Sequence, residues 1–143
     1  MPLVIGVVGE KGSGKGTFAD IFRVACPGKR IATIRFSDIL RETLTRWAIP
    51  ESRANLQKIA MTMVGAFGTD ALANAIVARV NAMDADVVIL DGIRRKSELT
   101  LLRQFPSNML IYVTAPLAVR FERLRQRREN IGEGTMSYEQ FLV

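Results

Sequence analysis

Nine residues near the start of the chain carry most of its legible chemistry. Gly9–Thr17 reads GEKGSGKGT, and Gly9 through Lys15 fit the spacing G-x-x-x-x-G-K. Glycines at these intervals let successive backbone N–H groups turn inward at the start of a helix, where the macrodipole is positive. Lys15 adds a point charge that can reach the β- and γ-phosphates of a nucleoside triphosphate. Every residue of the run (Gly9, Glu10, Lys11, Gly12, Ser13, Gly14, Lys15, Gly16 and Thr17) is therefore a candidate nucleotide contact. One position departs from the commonest form. Gly16 stands where many such loops place a Ser or Thr on Mg²⁺, and the hydroxyl comes one residue later, at Thr17.

Two carboxylates fall where a phosphate site would want them. Asp91 closes the apolar run DVVIL and Asp38 follows IATIRF, so both lie at the strand ends where open α/β sheets bind ligands. Either can orient waters around Mg²⁺, which keeps several of them. The competing roles are a strand-ending turn for Asp91-Gly92 and a helix cap for Asp38. Arginines complete the set. The chain carries 15 Arg against 5 Lys within a net charge of +6, and a planar guanidinium suits bidentate phosphate recognition better than an ammonium does. Arg120, Arg123 and Arg127 follow at i, i+3 and i+7, within roughly 60° of arc on one helix.

Positioning these groups requires a sheet with crossover helices. Leu3–Val8 is a continuous β-branched run, as expected of a strand covered on both faces. Ile31–Phe36, Asp86–Leu90 and Met109–Val113 are the other expected strands. Between them, residues 17–25 show helical spacing, and Ser37 or Asp38 is placed to cap a helix running toward Pro50. Leu56, Ile59, Ala60, Met63, Val64 and Phe67 form one stripe, and Leu72, Ile76, Val80 and Met83 a second, beyond a break at Gly68–Asp70. The methionines sit at core spacing and read as packing. Residues 95–104 predict a short helix, and the segment from Leu117 predicts the last one, with Phe121 and Leu124 on its apolar side. Strands alternating with helices imply right-handed βαβ units and a parallel sheet in one α/β/α three-layer domain spanning residues 1–143.

Composition excludes several chemistries. The chain has no histidine, which removes Ser-His-Asp triads and histidine-ligated zinc. Its single cysteine, Cys26, has no internal disulfide partner, which points to a reducing cytoplasm. No apolar run reaches the roughly 18 residues of a membrane span. No RNA-binding motif is legible and Trp47 is the only tryptophan, so nucleic acid is not the expected partner.

The ending Gly14-Lys15-Gly16-Thr17 resembles adenylate kinase and the other nucleoside monophosphate kinases. In that family the metal is held largely through waters and the threonine serves phosphate, which implies that role for Thr17 and leaves Mg²⁺ to Asp91 and Asp38. Phe36-Ser37-Asp38-Ile39-Leu40-Arg41 resembles the segment whose arginine grips the acceptor phosphate, and Asp91-Gly92-Ile93-Arg94-Arg95 resembles a second acceptor motif. The D-G-I-R form with Glu98 is closer still to archaeal-type adenylate kinase-related proteins and to proteins similar to dephospho-CoA kinase. The resemblance covers almost the whole chain. It implies a P-loop fold with strand order 2-3-1-4, a helical acceptor-binding insertion over about 38–83 and a lid over about 120–136. The implied lid tip is 129–134, with Arg123 and Arg127 neutralising charge as it closes. It further implies ATP and Mg²⁺ as cofactors, Lys15, Asp38, Arg123 and Arg127 as catalytic groups, and Arg41 with Arg94 or Arg95 as acceptor ligands. A nucleoside or deoxynucleoside monophosphate is the leading acceptor. Dephospho-CoA, with Asp38 as base toward a hydroxyl, is the nearest alternative, and a regulatory or RNA-associated ATPase module is the alternative outside kinases. Kinases of this type continue into a fifth strand, whereas this sequence ends at Phe141-Leu142-Val143. Strand four is accordingly expected to be an open edge, through which the chain could self-associate.

Overall fold

A computed structural model describes residues 1–94, 96–127, 135 and 137–142. Strands β1 (Leu3–Val8), β2 (Ile31–Arg35), β3 (Val87–Asp91) and β4 (Asn108–Tyr112) form one parallel sheet in the order β2-β3-β1-β4. This is the expected order. Helices α1 (Lys15–Ala25), α2 (Phe36–Arg46), α3 (Arg53–Phe67), α4 (Ala71–Ala82), α5 (Lys96–Leu102), α6 (Leu117–Arg127) and α7 (Tyr138–Leu142) fill the connections and the C-terminal segment.

The continuous apolar character of β1 follows from its place between β3 and β4, with helices over both faces. Val4 packs with Val88, Leu90, Ile76 and Val80 on the α4–α5 side. Ile5 and Val7 pack with Val87, Ile89 and Ala19 on the α1 side. Burying each such side chain stabilises the fold by roughly 1.5–3 kcal/mol before entropy is counted. These two cores hold the strand ends, and hence the loops beyond them, at a fixed height.

The structure corrects the sequence reading at four places. Strand β2 stops at Arg35 because α2 already begins at Phe36. Neither Ser37 nor Asp38 is the cap residue; Arg35 is, and the Asp38 carboxylate reaches back to accept its N–H at 2.8 Å. A carboxylate at the third helical position satisfies that donor and lets the helix start earlier. Strand β3 runs one residue further than expected and takes in Asp91 as its last residue. The apolar stripe of α3 is not core: none of its residues is buried, and Phe67 is 72% exposed. Its middle residues Ile59, Ala60, Met63 and Val64 line a cavity.

Helix α7 was not anticipated. Its signal was local, because Ser137 and Gln140 form a reciprocal capping box in which Gln140 N–H donates to Ser137 Oγ at 3.2 Å and Ser137 N–H donates to Gln140 Oε1 at 2.9 Å. Tyr138 and Phe141 pack on Phe121 of α6, with ring centroids 5.1 and 5.6 Å away. Strand β4 is a sheet edge, with Met109, Leu110 and Tyr112 exposed along it. Among the described residues no single helix is long and apolar enough to cross a membrane.

Candidate functional site

The chain leaves β1 at Val8, turns through Gly9–Gly14 and enters α1 at Lys15. Gly14 caps the helix at φ +104°, a left-handed geometry that costs an L side chain roughly 1–2 kcal/mol. It has no side chain to offer, so nothing on the cap residue accepts the first helical N–H groups. The first intrahelical bond runs from Phe18 N–H to Gly14 O at 2.9 Å. The N–H groups of Lys15, Gly16 and Thr17 therefore have no acceptor within the helix. The first turn carries no acidic residue. A positive helix end with an ammonium in its first turn has the chemistry of an anion site.

The loop backbone is tied down by side chains from two helices. Lys15 Nζ donates to Gly9 O at 2.8 Å and to Glu10 O at 3.0 Å, lying along the loop it serves. Ser13 is buried, its N–H bonded to Glu10 O at 3.1 Å and its Oγ without a partner. Gly12 lies against the backbone of Arg120 in α6. Arg123 Nη1 donates to Gly12 O at 3.3 Å and Ser13 O at 3.1 Å. Four loop carbonyls are thus engaged, those of Gly9 and Glu10 by Lys15 and those of Gly12 and Ser13 by Arg123. The Glu10 side chain also turns outward and accepts a hydrogen bond from the Tyr112 hydroxyl of β4. That bond, then its own backbone amide, the Arg120 charge and the Thr114 hydroxyl hold the Glu10 carboxyl below the usual carboxylate range, against partial desolvation.

The other expected site residues divide into three groups. Asp91 and Asp38 are brought together through Arg35, a residue the sequence reading did not single out. Arg35 Nε donates to Asp91 Oδ2 at 3.3 Å while its backbone N–H serves Asp38. Asp91 sits beside Val7 in the ladder, next to the strand that leads into the loop. Arg41 pairs with Glu51 at 2.9 Å, and Arg94 is exposed, with its N–H donating to Glu98 Oε2 at 2.6 Å. Arg123 supports the loop, as described. Thr17 is exposed on the first turn of α1. Arg127 ends α6, and its side chain, Arg95 and the lid tip 129–134 lie outside the described residues.

Among the described residues no group of three or more His, Cys, Asp or Glu side chains could hold a metal on its own. The donor set still fits Mg²⁺, which binds through one or two carboxylates plus substrate phosphates and retains waters. Asp91 ends β3 opposite Val7 of the strand that leads into the loop. A cavity of about 120 Å³ opens between α2, α3 and α4, walled by Phe36, Leu40, Ile59, Met63 and Leu72, with Glu98 of α5 also in its lining.

The profile of a family described as AAA domain matches residues 5–140. The chain is 33% identical over 132 residues to a UPF0200 protein of Methanoregula boonei, covering 90% of this chain and 70% of that protein. It is 30% identical over 139 residues to a UPF0200 protein of Hyperthermus butylicus, covering 97% and 72%. Among solved structures, TT1252 from Thermus thermophilus superposes with a TM-score of 0.54 at 21% identity, over 99% of this chain and 77% of that one. A gluconokinase from Sinorhizobium meliloti 1021 superposes with a TM-score of 0.50 at 19% identity, over 99% and 71%. At these identities the superpositions establish a shared P-loop kinase-like fold.

Proposed function

The chain belongs to the AAA domain family and groups with the UPF0200 proteins, and from that premise we propose that it is an ATP-dependent small-molecule kinase. The reaction is transfer of the γ-phosphoryl group of Mg-ATP to a nucleoside or deoxynucleoside monophosphate. The observation that carries this reading is the loop, a glycine-capped helix start with no acidic residue in its first turn and with Lys15 Nζ lying along the loop backbone. Phosphoryl transfer rests on positioning and charge stabilisation, and needs no covalent enzyme intermediate. Mg²⁺, when bound, neutralises charge on the phosphate oxygens, with Asp91 holding its waters.

The chain's own residues divide the remaining work. The loop amides and Lys15 hold the triphosphate, and Thr17 adds a hydroxyl at the first turn of α1. The acceptor enters the cavity between α2, α3 and α4, whose walls are apolar enough to take a base. We assign the acceptor phosphate to Arg41, which would exchange Glu51 for it, and to the exposed Arg94. Asp38 favours a phosphate acceptor over a hydroxyl acceptor. Its carboxylate already accepts the Arg35 N–H, which lowers its availability as a general base, and a phosphate acceptor needs none.

The test is ADP release from Mg-ATP against a panel of nucleoside monophosphates and dephospho-CoA, with Lys15→Ala as control. Stimulation by one monophosphate, lost in the control, is the expected result. Stimulation by dephospho-CoA alone would overturn the acceptor assignment, and ATP binding with no stimulation by any acceptor would overturn the kinase reading.

A further inference from the structure

Arg35 is bonded to both carboxylates that the site would use toward a cation. Its backbone N–H donates to Asp38 and its Nε to Asp91. It ends β2 directly opposite Asp91 in the ladder. Strand alternation sets its side chain on the same sheet face as Thr33, which binds Arg23 of α1. The face carrying α1 also holds Val7 and Ile89, the neighbours of Asp91 across and along the sheet. The guanidinium, the Asp91 carboxylate and the first turn of α1 thus share one face at one end of the sheet.

The pair is unequal. Asp91 is the sheltered partner, its side chain 19% exposed, whereas Arg35 is 61% exposed and bonded to Asp91 through Nε alone. A sheltered carboxylate left without a positive partner is costly, while an exposed guanidinium swings away at little cost. The loop meanwhile lacks a hydroxyl at position 16, a ligand that would help to fix a divalent ion.

We propose that Arg35 is a resident cation of this site. It neutralises Asp91 when no divalent ion is there, competes with the ion for that carboxylate, and is released toward phosphate oxygens when the ion takes its place. Arg35 is a positioning residue in this scheme, setting how strongly Asp91 draws a metal. The inference rests on the reading that the loop holds a triphosphate with Asp91 facing its metal, and its test is built to fail separately from that reading.

The test is Mn²⁺ binding to the nucleotide-free protein, followed by electron paramagnetic resonance. Arg35→Met should bind Mn²⁺ roughly five-fold more tightly than wild type, the size expected for removing one partly screened positive charge near a divalent ion. Arg35→Gln should do the same, and Arg35→Lys should stay close to wild type. The gain should vanish in Arg35→Met/Asp91→Asn. A purely structural role for Arg35 cannot tighten metal binding. Unchanged Mn²⁺ affinity in both Arg35→Met and Arg35→Gln would overturn the proposal, as would a gain that survives loss of Asp91. ATP binding with unchanged Mn²⁺ affinity sinks Arg35 and spares the kinase reading. Absent ATP binding sinks the kinase reading, while the Mn²⁺ comparison still decides Arg35.

Discussion

Two glycines four residues apart in the loop should respond to alanine with opposite signs. At Gly12 the backbone has φ +77°, and an added Cβ would lie 2.6 Å from the carbonyl oxygen of Arg120 and 3.2 Å from its Cα. The obstacle is helix backbone, which cannot rotate away as a side-chain tip can. The left-handed conformation costs alanine roughly 1–2 kcal/mol, and forcing α6 aside costs roughly 1–3 more, so Gly12→Ala should lose about 2–5 kcal/mol. At Gly16 nothing lies within 4 Å of an added Cβ, and the residue is helical. Gly16→Ala should gain roughly 0.5 kcal/mol from the reduced entropy of the unfolded chain. At about 3 °C per kcal/mol for a domain of this size, the first variant should melt roughly 6–15 °C lower and the second roughly 1–2 °C higher. Calorimetry without nucleotide is the assay, because a bound ligand would add its own stabilisation. If Gly12→Ala melts within about 2 °C of wild type, the close seating of the loop on α6 is wrong, and with it the account of how the loop backbone is tied down.

The other expectations concern the same scaffold. Arg123→Ala removes two charge-assisted bonds to loop carbonyls and should cost about 1–2 kcal/mol; hydrogen exchange at the amides of residues 12–17 should quicken, and unchanged exchange would contradict the brace. Ala60→Leu, in the wall of the cavity, should add roughly 0.5–2 kcal/mol of stability while abolishing acceptor-stimulated turnover and sparing ATP binding; surviving stimulation would place the acceptor elsewhere. Acid should destabilise the fold through Glu10 and Asp86. The Tyr112 hydroxyl holds the first carboxyl low, and the Arg30 backbone N–H, then its guanidinium, the second. Because the unfolded chain binds these protons more readily, the stabilisation is complete above about pH 5.5 and is lost as the pH falls through the lowered values. Urea titrations of Glu10→Gln and Asp86→Asn should show a shallower acid limb than wild type.

The fold was largely legible because its signals are local. β1 declares itself by an unbroken apolar run, and the G-x-x-x-x-G-K spacing can be read without tertiary information. The sheet order, by contrast, came from the resemblance to the nucleoside monophosphate kinases, and the structure has that order. What stayed hidden depends on contacts between distant segments. Arg35 looks like any strand-ending arginine until β2 is laid beside β3, which sets it against Asp91 from 56 residues away. Arg123, read as a lid residue, reaches loop carbonyls more than a hundred residues upstream. The stripe on α3 has the period of a core helix, but periodicity cannot tell a helix facing the sheet from one facing a cavity. Helix α7 escaped notice although its Ser137–Gln140 box was in plain view, because five residues are too few to give a period.

The central position of β1 has a consequence for how the molecule comes into being. β1, made before the other three strands of its sheet, is paired on one side from Leu3 to Val87 and on the other from Val4 to Asn108, partners that emerge more than eighty and a hundred residues later. At ordinary synthesis rates β1 waits roughly 5–20 s, unpaired and strongly apolar, before the second of them arrives. Nor is the loop fully braced in that interval, since the group that bonds the Gly12 and Ser13 carbonyls belongs to α6. Until α6 has been made, the loop therefore lacks its Arg123 brace while β1 stands as an unpaired apolar segment.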